Sequence, residues 1–281
     1  MKKGKKLLSL VLSVVLLSTA MTLSVSATVV SPGAATIYST GSLRFDGSGQ
    51  VRGDAIITEG DLSGSNNPWA TGSIYKTGNV TLTNNYPVNQ SIIKDYTGSV
   101  ASYSLSSYHP FPTSFGGTYS DGTKNVTIGW SSDEFSTNYT LSANSYLNKL
   151  TIRDTLNLNI QAGTGEVRII RIKTLEIRGS ISVVGGGRAI LYLDTLTTGG
   201  ASFFNAGGSQ DDLAIFVSAN DSDVLFDNST LHANVFAPYP DVSINNTAIT
   251  GNVYTGGDLK LTNSGNITGY AFAPHSYSNV G

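Results

Sequence analysis

Val235-Phe236-Ala237-Pro238, Val253-Tyr254-Thr255-Gly256 and Ala271-Phe272-Ala273-Pro274 follow one another at a constant offset of eighteen residues, and Leu231, Ile249 and Ile267 keep the same interval. A period this short has room only for short strands and turns, so one repeat cannot bury its apolar side chains by itself. Successive repeats must stack and share a core, which makes the stretch from Leu231 to Pro274 a set of solenoid coils. Alternation such as Leu259-Lys260-Leu261 sends apolar side chains inward and polar ones outward. Gly251, Gly256 and Gly257 are read as positive-φ corners. Asn228, Asn246 and Asn263 recur at eighteen and seventeen residues and predict an asparagine ladder along one corner.

The same unit returns near the start of the chain. Gly72-Ser73-Ile74-Tyr75-Lys76-Thr77-Gly78-Asn79-Val80-Thr81-Leu82 matches Gly251-Asn252-Val253-Tyr254-Thr255-Gly256-Gly257-Asp258-Leu259-Lys260-Leu261 at nearly every informative position without a gap. Both ends are therefore expected to be built from one kind of rung. Between them, residues 84–148 break the pattern with Tyr- and Ser-rich sequence, His109-Pro110-Phe111-Pro112, and the aromatics Phe115, Trp130 and Phe135. A structureless loop of this length is uncommon, so the segment is read as an excursion packed on the solenoid flank or a small subdomain. From Leu150 onward short alternating strands resume, among them Leu156 to Ile160, Arg171 to Lys173 and Leu191 to Leu193.

The amino terminus carries Lys2, Lys3, Lys5 and Lys6, an apolar run from Leu7 to Leu17, and Val25-Ser26-Ala27. These features predict a secretory signal over residues 1–27, cleaved after Ala27. The predicted organisation continues with a lead-in over 28–40, amino-terminal rungs over 41–83, the excursion over 84–148 and carboxy-terminal rungs over 149–281. Without the leader, thirteen basic residues face nineteen acidic ones, a formal charge of about −6. That balance opposes nucleic acid and anionic membrane as partners. There is no cysteine, hence no disulfide framework and no lipoprotein attachment site. Charged residues are 13% of the chain, about half the usual share, while turn formers and β-branched residues abound, so the expected class is all-β.

The unit Gly251-Asn252-Val253-Tyr254, Gly257-Asp258-Leu259-Lys260-Leu261, Ile267-Thr268-Gly269 resembles the rung of bactofilins. The resemblance implies a right-handed parallel β-helix able to polymerise end to end. Over most of the mature chain the sequence is also similar to secreted bacterial β-helix surface domains that accompany pilus-type and adhesion proteins. In those domains a Gly-Asp-rich opening, a proline-containing middle and a closing run like Val235-Phe236-Ala237-Pro238 appear in this order.

Phe236, Tyr254 and Phe272 lie between inward-facing positions, and Tyr75 occupies the matching place in the amino-terminal repeat. Alternation turns all four outward, and rungs about 4.8 Å apart would align them into an aromatic strip. Such a strip fits a polysaccharide or a cell-surface protein, or else the face on which the middle segment rests. Asp211, Asp212, Asp221, Asp223 and Asp227 share one turn-rich region and are either Ca²⁺ ligands or solvated turn residues; their spacing matches no calcium-binding repeat. Arg171, Lys173 and Arg178 alternate outward nearby, a pairing with acids that pectate-lyase-like enzymes also use, and one that solvated strand faces explain equally. Gly185-Gly186-Gly187-Arg188 opens a strand where a phosphate loop needs a helix, so it is a turn. His109, His232 and His275 share no metal-ligand spacing, and no catalytic triad can be assembled.

The expectation is an exported, non-enzymatic β-solenoid serving as a cell-surface or extracellular structural and adhesive protein, with no cofactor required. A β-helix carbohydrate-active enzyme and a filament subunit assembling end to end are the alternatives.

Overall fold

Val235 lies beside Val253, and Val253 beside Ala271, each pair in register on adjacent parallel strands. The eighteen-residue period is thus one coil of a parallel β-solenoid, as the repeat predicts. The computed structural model describes residues 37–39, 41–46, 55–58, 60–65, 72–83, 92–95, 119–130, 133–153, 155–218, 223–273 and 276–280. The predicted signal, most of the lead-in, His109, Phe111, Phe115, Asp221 and His275 lie outside the described residues.

In chain order the first strands are β1 (Ile37–Ser39), β2 (Ser42–Asp46), β3 (Ala55–Thr58), β4 (Leu62–Ser65), β5 (Ser73–Lys76), β6 (Val80–Thr83) and β7 (Ile93–Asp95). Broader coils follow, with β8 (Asn125–Ile128), β9 (Tyr139–Leu141), β10 (Ser145–Ile152), β11 (Asn157–Gln161), β12 (Val167–Ile177), β13 (Ser180–Val184), β14 (Arg188–Thr198), β15 (Ser202–Phe204) and β16 (Leu213–Val217). The regular coils comprise β17 (Val224–Asp227), β18 (Ser229–His232), β19 (Asn234–Ala237), β20 (Val242–Asn245), β21 (Ala248–Thr250), β22 (Val253–Thr255), β23 (Leu259–Thr262), β24 (Asn266–Thr268), β25 (Ala271–Ala273) and β26 (Ser276–Val280). Because β7, β8, β9 and the start of β10 join the sheets, the non-repeating region is narrower than the expected 84–148.

Among the described residues these strands form three parallel sheets, of twelve, seven and seven strands. The spatial order is not the chain order. The twelve-stranded sheet runs β7-β5-β3-β1-β25-β22-β19-β16-β14-β12-β10-β8, so the amino-terminal coils continue the stack beyond its carboxy-terminal coil. Ile37 pairs with Ala271 and Ser42 with Ser276 across this seam. Since β7 and β8 are the outermost strands of one sheet, the chain between Asp95 and Asn125 joins opposite ends of the solenoid. That distance is roughly 50 Å at the usual strand spacing, well within reach of an extended segment of that length.

One apolar core serves all the coils, from Leu43 and Ile74 on one side of the seam to Ile267, Val235, Ile172 and Val126 on the other. Leu259 and Leu261 are buried while Lys260 is exposed, as alternation requires. Each such leucine contributes about 1.5–3 kcal/mol of burial, which a single coil without neighbours would forgo. Corners are closed by hydroxyls and amides bonding to the next rung: Thr255 Oγ1 donates to Pro240 O at 2.8 Å, and Thr247 Oγ1 to Phe226 O at 3.1 Å.

The asparagine ladder forms with an altered last step. Asn246 Nδ2 donates to Asn228 Oδ1 at 2.7 Å, but Asn263, one residue short of the period, donates to Asn245 instead. A second ladder runs from Asn234 Oδ1 to the Asn252 N–H and from Asn252 Oδ1 to the Tyr270 N–H. Gly251 has φ +140°, as a corner glycine should. Gly256 and Gly257 do not have positive φ. They are glycines because a Cβ would lie 1.9 Å from Pro238 O and 2.1 Å from Asp241 Oδ1, respectively.

Candidate functional site

The outward aromatics are on the outer face of the long sheet, but they are not bare. Phe236, Tyr254 and Phe272 are only 3%, 2% and 7% exposed. They belong to a register row that reads Tyr146, Arg171, Tyr192, Phe216, Phe236, Tyr254, Phe272, Tyr38, Ile57, Tyr75 and Lys94 across successive strands. Adjacent rings pile up, with centroids 5.1 Å apart for Tyr192 and Phe216, 4.6 Å for Phe216 and Phe236, and 5.0 Å for Phe236 and Tyr254. Tyr75, near the far end, is half-buried. Orientation follows the alternation; the expected contact surface is replaced by a packed second layer, which alternation alone does not distinguish. The segment expected to cover it lies largely outside the described residues. Burial pushes the Tyr192 hydroxyl up to about 12.

The clustered acids serve turns. Asp211 and Asp212 sit in a short 3-10 helix, Gln210–Asp212, where Ser209 and Asp212 form a capping box. Asp227 accepts from the amides of Asn228 and Asn245, and Asp223 is exposed. Among the described residues no three His, Asp or Glu side chains converge on a cation position. Arg171 pairs with Asp194 at 3.3 Å and lies over the Tyr146 ring, and Lys173 donates to Gly122 O. Gly185 and Gly186 have φ of 99° and 80°, the turn expected there. His232 Nδ1 is 3.0 Å from Gly208 O.

The structure assembles a different site, at the ends of β10, β12 and β14. Thr151, Glu176 and Thr197 stand in one register row, with Ile152, Ile177 and Thr198 in the next. Past the strand ends, Arg153 N donates to Ile128 O, Arg178 N to Ile152 O and Gly199 N to Ile177 O, so Gly129, Arg153, Arg178 and Gly199 form one column. A groove of about 310 Å³ opens over these residues, with Trp130 on its rim.

Trp130 is 56% exposed although large apolar side chains are usually buried. Its turn is fixed from two sides. Asp133 accepts from the Trp130 N–H at 2.8 Å, and the Arg153 guanidinium lies 4.6 Å from the indole centroid. Asp133 in turn lies 3.7 Å from Arg153 Nε. Glu176 is held by Lys149 at 2.6 Å and, weakly, by Thr151 Oγ1 at 3.4 Å. Gly129 is required, since a Cβ there would lie 2.8 Å from Arg153 Cβ. The result is an aromatic plate beside a wall of hydroxyls, two guanidiniums and one paired carboxylate.

Trp130 and Arg178 are conspicuous in so weakly charged a chain, but their convergence is hidden. The successive coils that carry Trp130, Arg153 and Arg178 are offset by 24 and 25 residues, without the constant eighteen-residue period of the carboxy-terminal repeats. Neither family models, nor curated proteins, nor solved structures match the chain.

Proposed function

We propose that this protein is an exported, non-enzymatic surface solenoid that acts as a structural and adhesive element, and that it holds polysaccharide in the Trp130 groove. The exposed indole of Trp130, fixed in place by Arg153 and Asp133, carries this reading. A flat aromatic ring packs against the C–H face of a sugar, and flanking hydroxyls and guanidiniums hydrogen-bond its polar edge. Parallel strands supply a rigid base, so little ordering is required on binding. The export signal and the resemblance to secreted surface domains support the location.

Glycosidic hydrolysis uses two opposed carboxyl groups. The described groove lining offers one, Glu176, already bound to Lys149. The groove is accordingly read as a binding surface. Trp130→Ala is expected to lower retention on insoluble polysaccharides such as cellulose, chitin or isolated cell wall by about tenfold, with far-UV circular dichroism unchanged. Undiminished retention of a folded variant removes the groove from consideration.

A further inference from the structure

We propose that the groove selects acidic polysaccharide, with Arg178 reading the anionic group; this rests on the groove's being a glycan site. The charge arrangement carries the inference. Lys149 is matched by Glu176 at 2.6 Å and Arg153 by Asp133 at 3.7 Å. Arg178 is exposed, and among the described residues its guanidinium has neither an ion pair nor a hydrogen bond. It therefore contributes the uncompensated charge of the groove. Arg153 is also incompletely used: its Nε is buried and makes no hydrogen bond.

Arg153 and Arg178 leave the backbone one rung apart, about 4.8 Å. Arg153 leans toward Gly129 and the Trp130 ring while Arg178 leans toward Gly199, so Arg178 meets an oxyanion on its own side of the groove. A guanidinium presents parallel N–H donors that match the two oxygens of a carboxylate or sulfate. The next position in the column is Gly199, which also lines the groove and places no side chain beside Arg178. The chain as a whole is acidic and does not attract a polyanion from afar. Selection is consequently local, acting within the 8–10 Å over which charges are felt at ordinary salt.

Affinity electrophoresis through gels containing dextran, carboxymethyl-dextran or dextran sulfate of equal length tests this on one polymer backbone. The intact mature protein is expected to be retarded most by the charged polymers. The carboxymethyl and sulfate arms show which oxyanion is preferred. Arg178→Gln is expected to bring the charged polymers down to the level of dextran, a loss of about tenfold, and Arg178→Lys to restore part of it. Equal retardation by all three polymers, or retardation by the charged ones that Arg178→Gln leaves intact, overturns the acidic preference while the glycan site stands. No retardation by any of them, together with no retention on the insoluble polysaccharides, sinks both proposals.

Discussion

Asn205, Asn228, Asn246 and Asn263 have φ between 47° and 53°, a left-handed conformation that asparagine tolerates better than other residues with a Cβ. The recurrence in sequence therefore records a backbone requirement as well as an amide ladder. Tyr192 illustrates a different kind of constraint. Its hydroxyl titrates at about 12 because burial disfavours the phenolate, against an ordinary value of 10.0. Below pH 10 folded and unfolded chains both hold this proton. As pH rises from 10 toward 12 the unfolded chain releases it first, so stability falls across that window, by up to about 2–3 kcal/mol from this residue. Tyr139, also raised to about 12 by burial and by its bond to Tyr119, steepens the slope. Tyr192→Phe is expected to make urea-unfolding free energies fall less steeply between pH 10 and 11.5; an unchanged slope would show that Tyr192 is not the group responsible.

Among the elements, the strand-to-corner step at Gly256 leaves least room for change. Thr255 Oγ1 accepts from the Gly257 N–H at 3.1 Å while donating to the rung below, which draws the backbones together. Gly256→Ala would drive a methyl group into Pro238 O, and the expected loss is about 3 kcal/mol in chemical denaturation. A loss below 0.5 kcal/mol would mean that adjacent rungs separate freely. At this scale much was readable in advance: strand alternation, the inward leucines and the outward direction of Phe236, Tyr254 and Phe272 all follow from a period of two. Their burial did not follow, because it depends on what packs over the outer face. The Trp130 groove was unreadable for a related reason. Its lining comes from coils of unequal length, whose register Thr151, Glu176 and Thr197 reveal only once they are stacked.

At the scale of the molecule, the seam between β25–β26 and β1–β2 determines the architecture. β26 ends at Val280 in one seven-stranded sheet and β1 begins at Ile37 in the twelve-stranded sheet, a step that between β23 and β25 spans residues 263–270 and passes through β24 of the third sheet. Elsewhere residues 47–54 make the same step, from β2 to β3. Joining Gly281 to Thr28 supplies a connection of comparable length, residue 281 with residues 28–36. A chain of residues 28–281 permuted in this way and opened between Asp95 and Tyr119 is expected to fold with a Tm within about 5 °C of the unpermuted chain. Failure of the permutant to fold would contradict the seam. The sequence by itself determined the rung: its eighteen-residue period, its buried and exposed sides, its asparagine corners and the kinship of the two ends, since all of these depend on neighbours close along the chain. Only the tertiary structure decided the order in which rungs stack, the burial of the aromatic row and the placing of Trp130, Arg153 and Arg178 on one groove. Parallel edges built from like rungs pair wherever geometry brings them together, and chain order does not specify which edge meets which.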